Sequence, residues 1–599
     1  MNSEQKSCQN GAAAQPHGFA SWLAAGNLLS ITVLVIISLA VYCNSLSNGF
    51  VFDDYAVIVE NKHIKDLSNS LPSFFNNSYF KIAGGEASYR PLATLSYFLI
   101  HSFAGLNPFY YHLSSVLLHT LNVILVYLLF CLLLRDWFKA LLAGLLFACH
   151  PALSETVDCI TFNEDLLAAF FLLLALILYV KAVDKGPAGT AHLLSLFFFF
   201  CGLLSKEMAI SLPAIILLYD LTFREAATQT LSVKHILTTF KNRWAFYVGY
   251  AGIGLLYLVL RFLIFIPPGD GVKPHFGSLF ERLLYLPNHI FGFVKLAIIP
   301  YDLNVEYVYS YPQSFFEFSQ LAGFVVIAGL GIISLLCFRH YKEIFFGIWW
   351  FLIALFPVYN LFVIFNPFAE RYLYIPVIGF CLAVPVILFI AFSSALNNKK
   401  AVNTATLLVV IFILCAYTPI TVARNRDWKD GLTLWSKTVK QSPDSGVARG
   451  SLGRAYQEQE LLDKAIAEYK SAVKIMPNHF KAYYNLGVVY DQLGHFDQAV
   501  ANYKKSISIS PEFANAHYNL ANLYQKNGLT DDAIYHYRAV IELSPEDFEA
   551  RNNLGVAFAM QGKLNEAILE WEKVLEIDPT NKSARANVAK AKEQMEKSN

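Results

Sequence analysis

Asn27-Leu28-Leu29-Ser30-Ile31-Thr32-Val33-Leu34-Val35-Ile36-Ile37-Ser38-Leu39-Ala40-Val41-Tyr42-Cys43 is followed, a few residues on, by Gly49-Phe50-Val51-Phe52-Asp53-Asp54-Tyr55. The first run is apolar and nearly as long as the roughly 20 residues that a helix needs to cross a bilayer. No small-residue cleavage site closes it, and the polar stretch before it holds one lysine, Lys6. It reads as a retained anchor behind a cytoplasmic tail (1–26), not as a removed signal. Two adjacent carboxylates then stand at the membrane edge. Charged groups there are costly and usually face a cavity or a pathway. The alternative for an isolated Asp-Asp pair is two solvated loop charges.

The rest of the chain extends this membrane reading. Of its 599 residues, 55% are hydrophobic and only 15% charged, too apolar for an ordinary soluble protein. The net charge of +1 gives no nucleic-acid signature. All nine cysteines precede residue 424 without metal-type spacing, and they read as small core hydrophobes. Long apolar runs at 27–43, 112–134, 140–157, 166–180, 193–204, 209–221, 244–266, 321–338, 344–365, 373–392 and 403–422 predict eleven spans. A further stretch, 283–299, is interrupted by Pro287, Asn288, His289 and Lys295, and is expected to be interfacial or re-entrant.

Basic residues mark cytoplasmic loops. Here they cluster at Arg135/Lys139, Lys181/Lys185, Arg224 to Arg243, Arg339/Lys342 and Lys399/Lys400, in alternate loops. The other parity places Asp53-Asp54, 150–165, Ser205-Lys206-Glu207, 267–320 and Glu370-Arg371 outside, along with everything after residue 422. Within these outer segments Glu155 lies inside what should be apolar helix, and is expected to face a cavity. His150 precedes a proline and reads as a helix-end histidine rather than a metal ligand. Lys206-Glu207 fits either an ion pair capping a helical hairpin or a substrate contact. Arg371 offers the planar fork of donors suited to phosphate.

From Arg424 the composition turns polar and a strict repeat begins. Pro443, Pro477, Pro511, Pro545 and Pro579 recur every 34 residues, in phase with Gly453, Gly487, Ala521 and Gly555 and with Tyr469, Tyr503, Tyr537 and Trp571. This is a tetratricopeptide array. The domain 424–599 resolves into a half repeat, four units (446–479, 480–513, 514–547, 548–581) and a capping helix at 582–597 of the kind stacked repeats need. Such arrays offer a groove to an extended peptide. The expected fold is all-α: a polytopic membrane domain (27–423, first outer loop 44–111) followed by an α-solenoid.

Phe52-Asp53-Asp54, Tyr89-Arg90-Pro91-Leu92, His150-Pro151 with Glu155, Ser205-Lys206-Glu207, Ala369-Glu370-Arg371-Tyr372-Leu373-Tyr374-Ile375-Pro376 and Arg424-Asn425 with Trp428 stand in front of these repeats. Together they resemble the transmembrane and tetratricopeptide-repeat protein O-mannosyltransferases, relatives of the polytopic GT-C glycosyltransferases. Two positions depart from that pattern. Asn163 stands where an Arg is usual, and Glu306-Tyr307 replaces an Asp followed by an aromatic.

The resemblance implies a membrane domain of GT-C type. It also implies transfer of a mannose-like sugar from a polyprenyl- or dolichyl-phosphate donor to a protein Ser/Thr hydroxyl, with inversion, on the non-cytoplasmic face. In that reading Asp53 is the catalytic base and Asp54 its positioning partner. Arg90, Lys206 and Arg371 bind the donor phosphate, with Glu155, His150, Glu207 and Glu370 in support. A hydroxyl near pH 7 needs such a base, and a departing phosphate needs cations. No cofactor is implied, and a divalent metal at Asp53, Asp54 and Glu155 is the less favoured variant. The partners are the lipid donor, membrane lipid and a peptide held by the repeats. The compartment is a bacterial inner membrane facing the periplasm, or the endoplasmic reticulum facing its lumen. Two rival readings are an inactive scaffold for envelope assembly and a GT-C enzyme that glycosylates a lipid or glycan. A transporter would show inverted repeats, and none is legible.

Overall fold

A computed structural model describes residues 25–70, 89–183, 186–224, 232–264, 278–308, 316–360 and 366–598. Among the described residues all regular structure is helical. The chain divides into two compact units, Met1–Asp430 and Gly431–Asn599. The helix that carries Arg424 runs on to Asp427 within the first unit.

Among the described residues of the first unit seven helices are long and apolar enough to cross a membrane: Asn27–Ser47, Pro108–Leu134, Ile160–Ala182, Val233–Phe262, Phe318–His340, Val377–Ala395 and Lys399–Asp427. The other four expected spans take different forms. The run 140–157 becomes Trp137–Cys149 and Pro151–Asp158, bent by 55° at His150-Pro151, where proline removes a backbone donor. The run 193–204 is the 16-residue helix Thr190–Ser205, and 209–221 holds the 8-residue helix Leu212–Tyr219. The run 344–365 gives the 14-residue helix Lys342–Leu355, stopped at Pro357, and its last five residues lie outside the described ones. At 1.5 Å per residue, 16 residues reach about 24 Å, short of a bilayer core of about 30 Å. A polar pair such as Lys206-Glu207, or a proline, thus ends the regular helix before the apolar run is used up.

The interrupted stretch 283–299 forms one helix, Leu279–Ile298, with Pro287 inside it and His289, Phe293 and Leu296 buried. The expected tail up to residue 24, residues 71–88 of the first outer loop, Lys185, residues 265–266 of the seventh expected span, and parts of 267–320 lie outside the described residues.

Close helix contact fixes the segment that carries Glu370 and Arg371. Lys342–Leu355 packs against Val377–Ala395 where Gly347 meets Gly379; a Cβ on Gly379 would lie 2.3 Å from the Gly347 carbonyl oxygen. Small residues at such crossings let backbones touch. Trp350 adds a hydrogen bond from Nε1 to the Ile375 carbonyl at 2.9 Å.

The second unit begins with the helix Gly431–Gln441, stacks four helix pairs and ends with Lys582–Ser598. The aromatic of each second helix fills the space left by the small residue of the first. Tyr469, Tyr503, Tyr537 and Trp571 are buried in one continuous core. A Cβ on Gly487 would sit 2.6 Å from the Tyr503 ring. Gly487→Leu therefore destabilises this unit by about 1–3 kcal/mol through overpacking. Thermal melting of a Gly431–Asn599 fragment by circular dichroism measures it, and an unchanged midpoint would contradict the packing described.

Candidate active site

The Asp53-Asp54 loop is held in place by the end of the last long helix. Asn44 Nδ2 donates to the Val422 carbonyl (3.0 Å), Asn48 Nδ2 to the Asn425 carbonyl (2.9 Å), and the Gly49 N–H to the Lys429 carbonyl (2.9 Å). Asn425 Nδ2 returns a bond to the Val41 carbonyl at 2.9 Å. Phe52 then adopts φ 54, a left-handed conformation that non-glycine residues rarely take and that clusters at functional sites. Past this turn the two carboxylates part: Asp53 is exposed and Asp54 is buried.

Asp54 acts as a clamp. Its Oδ2 accepts the Val51 N–H at 3.1 Å and its Oδ1 accepts the Thr161 N–H at 2.9 Å, tying the loop to the end of the segment 150–165. Burial pushes its pKa up from 3.8 to about 7, against the pull of those hydrogen bonds. An acid with a higher pKa folded than unfolded binds its proton more tightly in the folded state. Its contribution to stability is complete below about pH 4 and is lost as pH rises through about 7. The melting temperature of the purified protein should fall between about pH 4 and about pH 7, and Asp54→Asn should flatten that slope. An identical slope in the variant would remove Asp54 from the effect.

Glu155 and Arg371, 216 residues apart, form the centre of the site. Glu155 is fully buried; its Oε1 lies 2.7 Å from Arg371 Nη1 and its Oε2 accepts the Arg371 backbone N–H at 3.0 Å. The guanidinium also lies 4.3 Å from the centre of the Phe162 ring, which in turn meets the Phe52 ring edge-on. The charge of Asp53 is felt at Arg371. Glu306, next to this pair, is pushed up to about 7, chiefly by burial, with Glu155 adding to that and Arg371 opposing it.

A second cluster adjoins the first. Arg90 grips Glu207 with two nitrogens (Nη2 to Oε1 2.9 Å, Nε to Oε2 3.3 Å) and also binds Glu164. Lys206 is buried, 2.6 Å from Asp165 and 3.0 Å from Glu164. Arg261 reaches Glu207 at 3.3 Å. Lys206 and Glu207, adjacent in sequence, thus pair with different residues rather than with each other. Behind them, Glu370 is buried and accepts from the Tyr307 hydroxyl (3.0 Å) and Arg424 (3.4 Å).

His150 stands apart from this chemistry. Its Nδ1 accepts the Ala152 N–H at 3.3 Å, and its Nε2 bonds the Ala297 carbonyl at 2.9 Å. It closes a helix end and ties it to the Leu279–Ile298 helix. Glu155 and Asp54 each commit both oxygens to donors already named. Among the described residues no group of three or more His, Cys, Asp or Glu is placed to share a metal ion.

The structure therefore brings Glu155 together with Arg371, and Arg90 with Glu207 and, through Glu164, with Lys206, and the charge of Asp53 acts on Arg371. Sequence reading placed Glu164 and Asp165 at the membrane edge without a role in the site, and missed Arg261 and Asp158, the last of which accepts a hydrogen bond from Ser45. For Arg261 a signal existed: a lone arginine inside an apolar run.

Comparison with known proteins adds a family context. Residues 91–262 match the family described as dolichyl-phosphate-mannose-protein mannosyltransferase. Residues 453–494, 490–528 and 518–582 match tetratricopeptide-repeat families. The chain is 25% identical over 491 residues to the Mus musculus protein O-mannosyl-transferase TMTC3, covering 75% of this chain and 51% of that protein. It is 26% identical over 521 residues to Homo sapiens protein O-mannosyl-transferase TMTC1, covering 78% and 56%. The chain spans about half the length of the curated relatives it matches. The crystal structure of MamA protein aligns with 25% of this chain and 81% of its own, at 26% identity and a TM-score of 0.24. The chain thus resembles the TMTC-type protein O-mannosyl-transferases, pairing a mannosyltransferase-type region with tetratricopeptide repeats.

Proposed function

We propose that this chain transfers a mannose-like sugar from a dolichyl- or polyprenyl-phosphate donor to a Ser/Thr hydroxyl of a protein, on the non-cytoplasmic face of its membrane. The observation that carries this reading is an exposed Asp53 carboxylate whose charge acts on an arginine that a buried Glu155 locks in position. The matched mannosyltransferase region and the animal relatives support a dolichyl carrier and the endoplasmic reticulum over a bacterial membrane.

The chemistry follows from the side chains. The acceptor oxygen bonds to the anomeric carbon while its proton passes to an Asp53 oxygen. The bond from that carbon to the phosphate oxygen breaks, and the lipid phosphate leaves with the electron pair. Attack opposite the leaving group inverts the anomeric configuration. Four cations (Arg90, Lys206, Arg261, Arg371) already face four carboxylates (Glu155, Glu164, Asp165, Glu207). A donor phosphate must therefore take over bonds that carboxylates now hold. Glu207, whose side chain at 37% is the most exposed of the four carboxylates, is the one this reading displaces to release the Arg90 fork.

The test is an assay with purified protein, lipid-phosphate mannose and Ser/Thr peptides. Well-folded protein inactive toward every lipid donor would favour a scaffold. Orientation has its own test. Cysteine labelling should find Arg243 and Lys400 positions on the cytoplasmic side and Asp53, Arg371 and Trp571 positions outside. A cytoplasmic Trp571 would overturn the shared-face reading.

A further inference from the structure

We propose that the cytoplasmic end of the membrane unit binds an anionic phospholipid, its phosphate held by Lys399 and Lys400. This goes beyond sugar transfer and rests only on the orientation reading above. The helices Trp137–Cys149, Val377–Ala395 and Lys399–Asp427 all pack on one another. Their packing brings two of the basic loops together. Phe138 lies between Arg135 and Lys139, and with Lys399, Lys400, Asn403, Thr404 and Leu407 it lines one cavity of about 380 Å³. Basic pockets between membrane helices at that face suit anionic lipid headgroups.

The two lysines of this cavity are not taken up by the protein. Both are exposed, and among the described residues no carboxylate lies within ion-pair distance of either. The acid of the first loop, Asp136, is already occupied. Its Oδ1 accepts the Phe138 N–H at 3.0 Å and the Lys139 N–H at 3.3 Å, and its Oδ2 lies 3.6 Å from Lys139 Nζ. Lys139 Nζ in turn stands 3.8 Å from the centre of the Phe389 ring. Other basic residues of the expected cytoplasmic loops serve the fold: Arg224 Nε donates to the Tyr219 hydroxyl and Arg243 Nη1 to the Val183 carbonyl, each at 3.2 Å. With Arg135 also exposed, this corner keeps an excess of positive charge.

The lining also separates by polarity. Lys399, Lys400, Asn403 and Thr404 offer donors to phosphate and ester oxygens, whereas Phe138 and Leu407 are half-buried and apolar. Further along the same helix Leu408, Ile411 and Phe412 are exposed. Positions 404, 408, 411 and 412 fall on one helical face, so an apolar stripe leads from the cavity into the bilayer. A free anion would use the lysines alone, and a phospholipid uses both the lysines and the stripe. A zwitterionic lipid carries its own ammonium, which two lysines repel. The partner is therefore a phospholipid of net negative charge, its chains lying along the stripe.

The test measures binding to the full-length protein in a neutral detergent, without sugar donor, so that it stands apart from transfer activity. The probe is a fluorescent phosphatidylglycerol. Unlabelled phosphatidylglycerol should displace it, while phosphatidylcholine with the same chains and soluble glycerol phosphate, at the same concentrations, should not. Lys399→Gln with Lys400→Gln should weaken binding about 30-fold, the effect of two lysines on an anionic headgroup. Lys399→Arg with Lys400→Arg should keep most of it. Both lysines are exposed, so neither double variant should shift the lipid-free melting temperature. Displacement by phosphatidylcholine, displacement by glycerol phosphate, or full binding by the glutamine variant would overturn the proposal. Binding as expected, with the Lys400 position labelled from outside, would leave the pocket standing and remove the orientation reading instead.

Discussion

Asp53→Asn lowers sugar transfer by at least about 10²–10⁴-fold, the range that general-base help usually supplies, while expression and membrane insertion stay normal. The expectation rests on the division of labour between the paired carboxylates. Asp53 is exposed and its charge acts on Arg371, which is why the proposed mechanism gives it the acceptor. Asp54 has both oxygens on backbone N–H groups, and Asn there can still accept with one of them. Asp54→Asn should therefore cost less activity than Asp53→Asn and should show its effect in stability first. The assay compares the two variants at saturating and limiting donor. Full activity in Asp53→Asn would remove this residue from the mechanism. A larger loss from Asp54→Asn would mean that the buried carboxylate, and not the exposed one, meets the acceptor.

Parts of this arrangement were legible from sequence because they depend on local spacing. The 34-residue phase of Pro443 to Pro579 defines the helix pairs, since each unit must bury the same faces against its neighbours. Charges at the ends of apolar runs marked Asp53, Glu155, Lys206 and Arg371, since a bilayer penalises any charge without a purpose. Partnerships were not legible. Glu155 meets Arg371 across 216 residues, and Arg90 meets Glu207 across 117. Only packing of helices far apart in the chain decides such pairs. Neighbours also misled: Lys206 and Glu207 invite pairing, yet the chain turns so that one faces Asp165 and the other Arg90. Seven of the eleven expected spans are single helices long and apolar enough to cross, and the other four are shorter or bent. Apolar length in 193–204 and 209–221 says that a segment is buried or in lipid, not that its helix runs the whole thickness. His150 was read as a helix-end residue, and its two backbone partners give it that task.

Glu155→Ala is expected to destabilise the membrane unit by about 3–5 kcal/mol, the usual effect of leaving a buried charge without its partner. The side chain of Arg371 is only 12% exposed and that of Glu155 not at all, so water cannot take over the lost interaction. The same change also orphans the Arg371 backbone N–H, which Glu155 Oε2 now accepts. Glu155→Gln keeps an acceptor but not the charge, and should fall between wild type and Ala. Structural and functional roles separate in a double variant. A buried ion pair replaced by apolar residues of similar size is often neutral for stability. Glu155→Leu with Arg371→Met should therefore recover much of the melting temperature lost in Glu155→Ala. Transfer should be absent, because the cation proposed to bind the donor phosphate is gone. Melting of the purified variants in detergent, beside the transfer assay, tests both halves. An unchanged melting temperature in Glu155→Ala would contradict the buried pair. Restored transfer in the double variant would show that Arg371 holds the fold together without touching the donor.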